Sequence, residues 1–325
     1  MNRDLKQWAS KYWLIFFLII VFMFMAIFKI SFQDIWRTIS SLTLWQFGLL
    51  SSVYLLVSFS LISSRKYLLR SLSSSSSLKN LILIHFSSRA AHYSTPAKLG
   101  FPFTVYLLKR FENIPYTTGT AMVLIEVVVS MGICGVIAFF GSYFYFSEKI
   151  NTLLPLLLFF VIGILTLSVI SHILRKKAGN SRFYRFIKNV HRSFHHLDRH
   201  NSLLYFLIMT FIQVFSGINL VLLAYFFSVD LSIWQAVIAQ SAAFFLGALS
   251  MVPMGLGVRE ASVLFFLYHI GIPKEVGLSI VTIQRLISTG LNFALGIIFG
   301  SVIGVKNIRL EPDQEGHIAA HESTD

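Results

Sequence analysis

From Tyr12 to Ile30 the chain is apolar with Lys29 as its one charge, and comparable runs return at Leu44–Ile62, Thr120–Phe146, Leu153–Leu174, Leu203–Phe227, Ile233–Leu249 and Leu278–Gly304. A helix needs about 20 apolar residues to cross the hydrocarbon of a bilayer, so most of these runs are long enough to span one. Water could not accommodate them all, because a globule must cover itself with more polar surface than 13% charged residues beside 55% hydrophobic ones provide. The first run is too long for the core of a signal peptide, and no small-residue cleavage site follows it, so it reads as a retained membrane helix. The fold class expected is all-α: a polytopic membrane protein. Cys134 is the single cysteine, so no disulfide forms within the chain.

Basic residues orient the helices. They gather at Arg3, Lys6 and Lys11, in Arg65–Lys79, in Lys98–Arg110, in Arg175–Arg199, and at Lys306 and Arg309. The stretches Ser31–Thr43, Ser147–Asn151 and Ser228–Ser232 have almost no net positive charge. The positive-inside rule makes the first set cytoplasmic and the second external. Both termini are then cytoplasmic, in a multi-pass protein of the cell membrane. The formal charge of +13 reads as topology and contact with anionic lipid at the cytoplasmic surface, not as nucleic-acid binding.

Parity then raises a problem at Leu78–Tyr93, a moderately apolar segment carrying His85, Arg89 and His92 between two cytoplasmic clusters. A single crossing would put one flank outside. A re-entrant hairpin solves this, entering along Leu78–Tyr93, breaking at "STPAKLG" (94–100) and returning along Phe101–Leu108. Broken backbone at membrane depth requires shelter in protein or a wet cavity. A second break, "SMVPMGLGVREAS" (250–262), has similar spacing: Pro96 to Gly100 matches Pro253 to Gly257. Downstream, "NIPYTTG" (113–119) parallels "GIPKEVG" (271–277), "AMVLIEVV" parallels "SIVTIQRLI", and "AFFG" (138–141) parallels "IIFG" (297–300). The charge pattern makes the two copies inverted, the arrangement of alternating-access transporters with a site near the midplane.

The expected organisation is one transmembrane domain over 1–305, with about six full transmembrane helices and two re-entrant hairpins in an inverted repeat. The copies span about 78–146 and 233–304. A cytoplasmic amphipathic segment (175–200) and a disordered cytoplasmic tail (306–325) complete it.

Breaks of this kind can hold an anion. Gly255 and Gly257 allow close backbone approach, and a helix restarting in the membrane offers free N–H groups at its positive end. Arg259 can bind phosphate through a bidentate fork, and Glu260 can pair with a base or favour the helix start. Arg89 is the candidate cation of the other hairpin. Glu126 and Arg285 lie at similar depths in the two long helices and could form an intramembrane ion pair or gate. Pro96, Gly100 and Pro253 break the helices. His85, His92 and His269 are read either as hydrogen-bonded helix residues or as a proton relay. In "HRSFHHLDRH" (191–200) two i, i+4 histidine pairs have metal-compatible spacing, but arginines surround them and the apolar face suits a lipid surface better. No metal or cofactor is expected, and "SLSSSSSL" (71–78) reads as a linker.

"SRAAHYSTPAKLG" and especially "GALSMVPMGLGVREAS" resemble the transmembrane region of lysylphosphatidylglycerol synthases and its stand-alone relatives, over roughly Trp13 to Val305. The resemblance implies a flippase-like domain that handles phospholipid or a polyprenyl-phosphate lipid. With an acidic tail after the last apolar run, the chain is expected to lack the synthase domain and to act without catalysis, with a separate lipid-modifying enzyme as a partner. The alternative is a membrane-embedded transferase or accessory scaffold for a lipid-linked envelope precursor.

Overall fold

The computed structural model describes residues 40, 42–94, 100–145, 198–250 and 255–310, with side chains omitted at 93, 94, 145 and 303–310. The runs Tyr12–Ile30 and Leu153–Leu174, most of segment 175–200, residues 311–325, Pro96 and Pro253 lie outside the described residues, while 306–310, expected in a disordered tail, are helical. Among the described residues there are eight α-helices and no strand: α1 (Leu44–Ser71), α2 (Leu78–Ser94), α3 (Gly100–Glu112), α4 (Tyr116–Tyr145), α5 (Arg199–Phe226), α6 (Ile233–Leu249), α7 (Val258–His269) and α8 (Lys274–Leu310).

Helices α1, α4, α5 and α8 are long and apolar enough to cross a membrane. The other four have 17, 13, 17 and 12 residues, short of the ~20 that a crossing takes. Polar residues set where the helices begin. Thr43 Oγ1 accepts from Gln46 N, while Gln46 Oε1 accepts from Thr43 N at 2.8 Å. Ser232 and Gln235 make the same reciprocal pair ahead of α6, so each start satisfies its own backbone donors. Asp198 caps α5, and the Asn201 N–H it accepts holds its carboxyl below the usual range.

The first four helices and the last four match in order: 28 and 28 residues, 17 and 17, 13 and 12, 30 and 37. Their turns match as well. Ser73 (φ 56°) and Ser228 (φ 53°) each lie two residues beyond the first helix of their set, and Asn113 (φ 54°) and Gly271 (φ 95°) precede the long helix. Packing follows the same correspondence: α2 lies on α3 and α6 on α7, while α2 also lies on α8 and α6 on α4. Each short hairpin therefore rests against the long helix of the other set.

The first helices of the two sets, α1 and α5, run antiparallel along each other. Asp198 N donates to Ser71 O at 3.1 Å, Ser64 Oγ meets Met209 Sδ at 3.6 Å, and Asn219 Nδ2 reaches Leu50 O at 3.5 Å. Ser77 N and Oγ both donate to Glu112 Oε1, at 3.2 and 3.1 Å. This joins the start of α2 to the end of α3 and brings the chain back to the side it left. Buried apolar residues form two clusters, one around Leu68, Ile84, Leu108 and Met122, the other around Leu50, Leu220, Leu267 and Ile280.

Small residues let helices approach closely. A Cβ on Gly217 of α5 would lie 2.6 Å from Val237 Cγ2 and 3.1 Å from its backbone N, whereas nothing stands within 4 Å of one on Gly132. Gly217→Val should therefore lower the thermal stability of the purified protein by about 1–3 kcal/mol through overpacking. Gly132→Ala should leave it equal or raise it by up to ~1 kcal/mol; thermal unfolding in detergent measures both.

Candidate functional site

The break between α6 and α7 depends on glycine. Gly255 has φ 63° and Gly257 φ 80°, a left-handed region that other residues enter only with strain. Gly257 N–H donates to Glu260 Oε2 at 2.7 Å, and Glu260 Oε1 lies 3.1 Å from Arg285 Nε. Both carboxylate oxygens are therefore engaged within the protein, one capping the first turn of α7 and the other tying it to α8. Glu260 was expected beside Arg259 among the headgroup ligands, and also to pair with a base or favour the helix start; the last two are what its contacts do here.

Arg259 is threaded through the break. Its aliphatic stem passes between Gly247 near the end of α6 and Gly255, where an added Cβ would meet Arg259 Cγ in either case, at 2.9 Å from Gly255. Its guanidinium carbon stands 5.7 Å from the centroid of Phe244, within cation–π range. The slot thus fixes a planar, permanently charged group at an interrupted helix. A lysine would lack both the stacking plane and the bidentate fork.

The break between α2 and α3 is equally close-packed. A Cβ on Gly100 would come within 2.6 Å of Ser88 O and collide with His92. The His92 ring lies 5.1 Å from that of Phe101. Arg89 is half-buried on α2, one turn beyond His85, and its charge reaches that ring. Gly100 thus serves the turn by close approach, and Arg89 and Arg259 belong to opposite hairpins.

The ion pair expected between Glu126 and Arg285 is replaced by two separate pairs. Arg285 goes to Glu260, and Glu126 goes to Arg65 of α1. Arg65 Nε donates to Glu126 Oε2 at 2.8 Å and Nη2 to Oε1 at 2.9 Å, a bidentate pair. Arg65 Nη1 contacts His85 Nδ1 at 3.1 Å. Because a guanidinium carries only donors, Nδ1 is the acceptor and His85 holds its proton on Nε2. Arg65, Glu126 and His85 are 6%, 8% and 1% exposed. Tyr205 of α5, also buried, lies within the field of Glu126 and Arg65, and its hydroxyl has no hydrogen-bond partner among the described residues.

Arg65 and Tyr205 went unrecognised in the sequence. The apolar run ends at Ile62, so "SSRKYLLR" resembles a basic cytoplasmic loop, yet α1 continues to Ser71 and carries Arg65 inward. The one available signal was that Arg65 precedes its neighbours Lys66 and Arg70 by positions on a different helical face. His269 uses Nδ1 on the carbonyl of Phe265 at 2.8 Å, the hydrogen-bonded helix residue of the two readings offered for it. Elsewhere Asn292 Nδ2 donates to Tyr54 Oη at 2.5 Å and to Ser288 O at 2.7 Å, joining α8 to α1.

Removing one member of a buried pair leaves the other charge stranded. Glu126→Ala should lower stability by about 3–5 kcal/mol. The double variant Arg65→Leu/Glu126→Gln should recover most of that loss; thermal unfolding of the three proteins in one detergent tests it.

Residues 12–296 match the family model described as the lysylphosphatidylglycerol synthase TM region. A search among curated proteins gave no match. The family match covers every described helix through α7 and most of α8, including both breaks and both buried ion pairs. The chain is a member of the lysylphosphatidylglycerol synthase transmembrane-region family.

Proposed function

We propose that the chain moves an anionic lipid, of phospholipid or polyprenyl-phosphate type, between the leaflets of the cell membrane, without chemical change to it. The observation that carries this reading is Arg259, held between Gly247 and Gly255 at an interrupted helix and stacked near Phe244. A lipid headgroup crossing hydrocarbon needs a fixed counter-charge that the protein has already desolvated and oriented. An arginine in a glycine slot meets that need, and its fork matches phosphate oxygens. Arg89 is the corresponding cation at the other break.

The second part of the reading is an inverted repeat. Support comes from the matching helix lengths, the reciprocal seating of each hairpin on the other set's long helix, and the antiparallel course of α1 and α5. Two equivalent helices that lie side by side and antiparallel are related by an axis perpendicular to both. For membrane helices such an axis lies in the bilayer plane, which gives the two breaks access from opposite leaflets. Anionic lipid at the cytoplasmic surface, and a separate enzyme acting on the transported lipid, are the partners this reading implies.

Leaflet exchange in liposomes tests the transport. With fluorescent phosphatidylglycerol or a polyprenyl monophosphate, Arg259→Ala should slow exchange about 10–100-fold, the loss of one charge-assisted contact of roughly 1.5–3 kcal/mol. Exchange at the wild-type rate for each lipid would remove Arg259 from the mechanism.

Topology is a separate measurement. Single cysteines at the exposed positions Ser75, Asn113 and Asp230, on a Cys134→Ser background, should label from the cytoplasmic side at the first two and from outside at the third. Labelling of Ser75 and Asn113 from opposite sides would turn the first hairpin into a full crossing.

A further inference from the structure

The hairpin that carries Arg259 is gripped by one helix, α8, at two consecutive residues. Gln284 Nε2 donates to Gln240 Oε1 of α6 at 3.3 Å, and Arg285 Nε lies 3.1 Å from Glu260 Oε1 of α7. Consecutive residues of an α-helix point about 100° apart. Helix α8 therefore takes one arm of the hairpin with each side chain, one before the break and one after it.

Each grip lies beside one part of the arginine slot. Gln240 and Gly247 are seven residues apart in α6 and so share a face. Gly247 is the wall on which Arg259 Cγ and Cδ lie. Glu260 follows Arg259 directly, and its other oxygen accepts from Gly257 N at 2.7 Å. That bond holds the turn, with φ 80° at Gly257, from which the arginine departs. A continuous run of contacts thus leads from Arg285 through Glu260 to the turn of Arg259.

Close packing of α7 on α8 does not call for the ion pair. An added Cβ on Gly277 would already lie 2.9 Å from Leu264 Cδ1 of α7. The first set joins α3 to α4 in the same manner, with Gly119 set against Val105 at 3.1 Å. Gly119 and Gly277 are each three residues past the start of their long helix. Eleven past the start, however, α4 has the apolar Val127 where α8 has Arg285. Ten past it, Glu126 bonds to Arg65 of α1, whereas Gln284 bonds within its own hairpin. The two-point grip belongs to the hairpin that holds Arg259.

We propose that Gln284 and Arg285 are positioning residues for Arg259: they fix the two arms of the hairpin so that the guanidinium is held where a headgroup phosphate meets it. The inference rests on the transport reading of Arg259, so its test separates the two.

Hydrogen–deuterium exchange of the full chain in phosphatidylcholine nanodiscs reads the turn without reference to transport. The amides of 257–261 should exchange about 10-fold faster in Arg285→Gln. They should return toward the wild-type rate in Glu260→Gln/Arg285→Gln, where the amide at 260 still accepts from Gly257 and an amide pair closes to α8 as Gln240 and Gln284 do. In phosphatidylcholine liposomes carrying fluorescent phosphatidylglycerol, Arg285→Gln should slow leaflet exchange about 10-fold, and Gln284→Leu about 3-fold. On an Arg259→Ala background each should cost less than about 2-fold, because a residue acting through another is not lost twice. The double glutamine variant should recover most of the lost rate. Equal slowing in both backgrounds, or amide exchange unchanged in Arg285→Gln, overturns the assignment. A double variant that regains amide protection but stays slow overturns it too, since Arg285 would then serve the headgroup by its charge. Wild-type exchange in Arg259→Ala removes the transport reading instead, and the amide rates still decide whether α8 holds the turn.

Discussion

Hydrocarbon accepts no hydrogen bonds, so a helix that stops inside a membrane must find protein partners for the backbone groups it frees. Two helix interruptions, between α2 and α3 and between α6 and α7, organise the described part of this molecule. At α6–α7 the freed Gly257 N–H is taken by Glu260, whose remaining oxygen reaches Arg285 on α8. At α2–α3 the chain turns so closely that Gly100 sits against Ser88 O and His92. Around each stop the long helices form a wall: α8 covers α2, and α4 covers α6. The arginines, the ion pairs and the tight glycines all lie within or beside that arrangement.

Much of this was legible in the chain itself. Apolar run length marked the long helices, and proline with glycine at 96–100 and 253–257 marked the interruptions. The basic clusters implied that the chain returns to the same side after the first hairpin, and the Ser77–Glu112 bond brings those two ends together. The family likeness, seen in "VPMGLGVRE", holds over 12–296.

Side-chain partners were less legible, for a geometric reason. Glu126 and Arg285 lie at similar distances along α4 and α8, but those two helices do not pack on each other: α4 lies against α6, α3, α5 and α1, and α8 against α2, α7, α5 and α1. Similar position along two helices did not make the helices neighbours. Arg65 was misread for another reason: hydropathy reports where a run stops being apolar, while a helix ends where its backbone does. Tyr205 gave no signal, because one tyrosine in an apolar helix looks like packing until its neighbours are known.

The antiparallel contact between α1 and α5 has a consequence beyond packing. Two helices of equal length, each first in its set of four, meet here antiparallel, as a helix meets its own copy across the isologous surface of a twofold dimer. Here both sides of the surface belong to a single polypeptide, so they are free to differ. A homodimer would have to carry Arg65 and Glu126 twice or not at all; this chain carries the pair once. Asymmetry between the halves is what a covalent link permits and a symmetric dimer forbids.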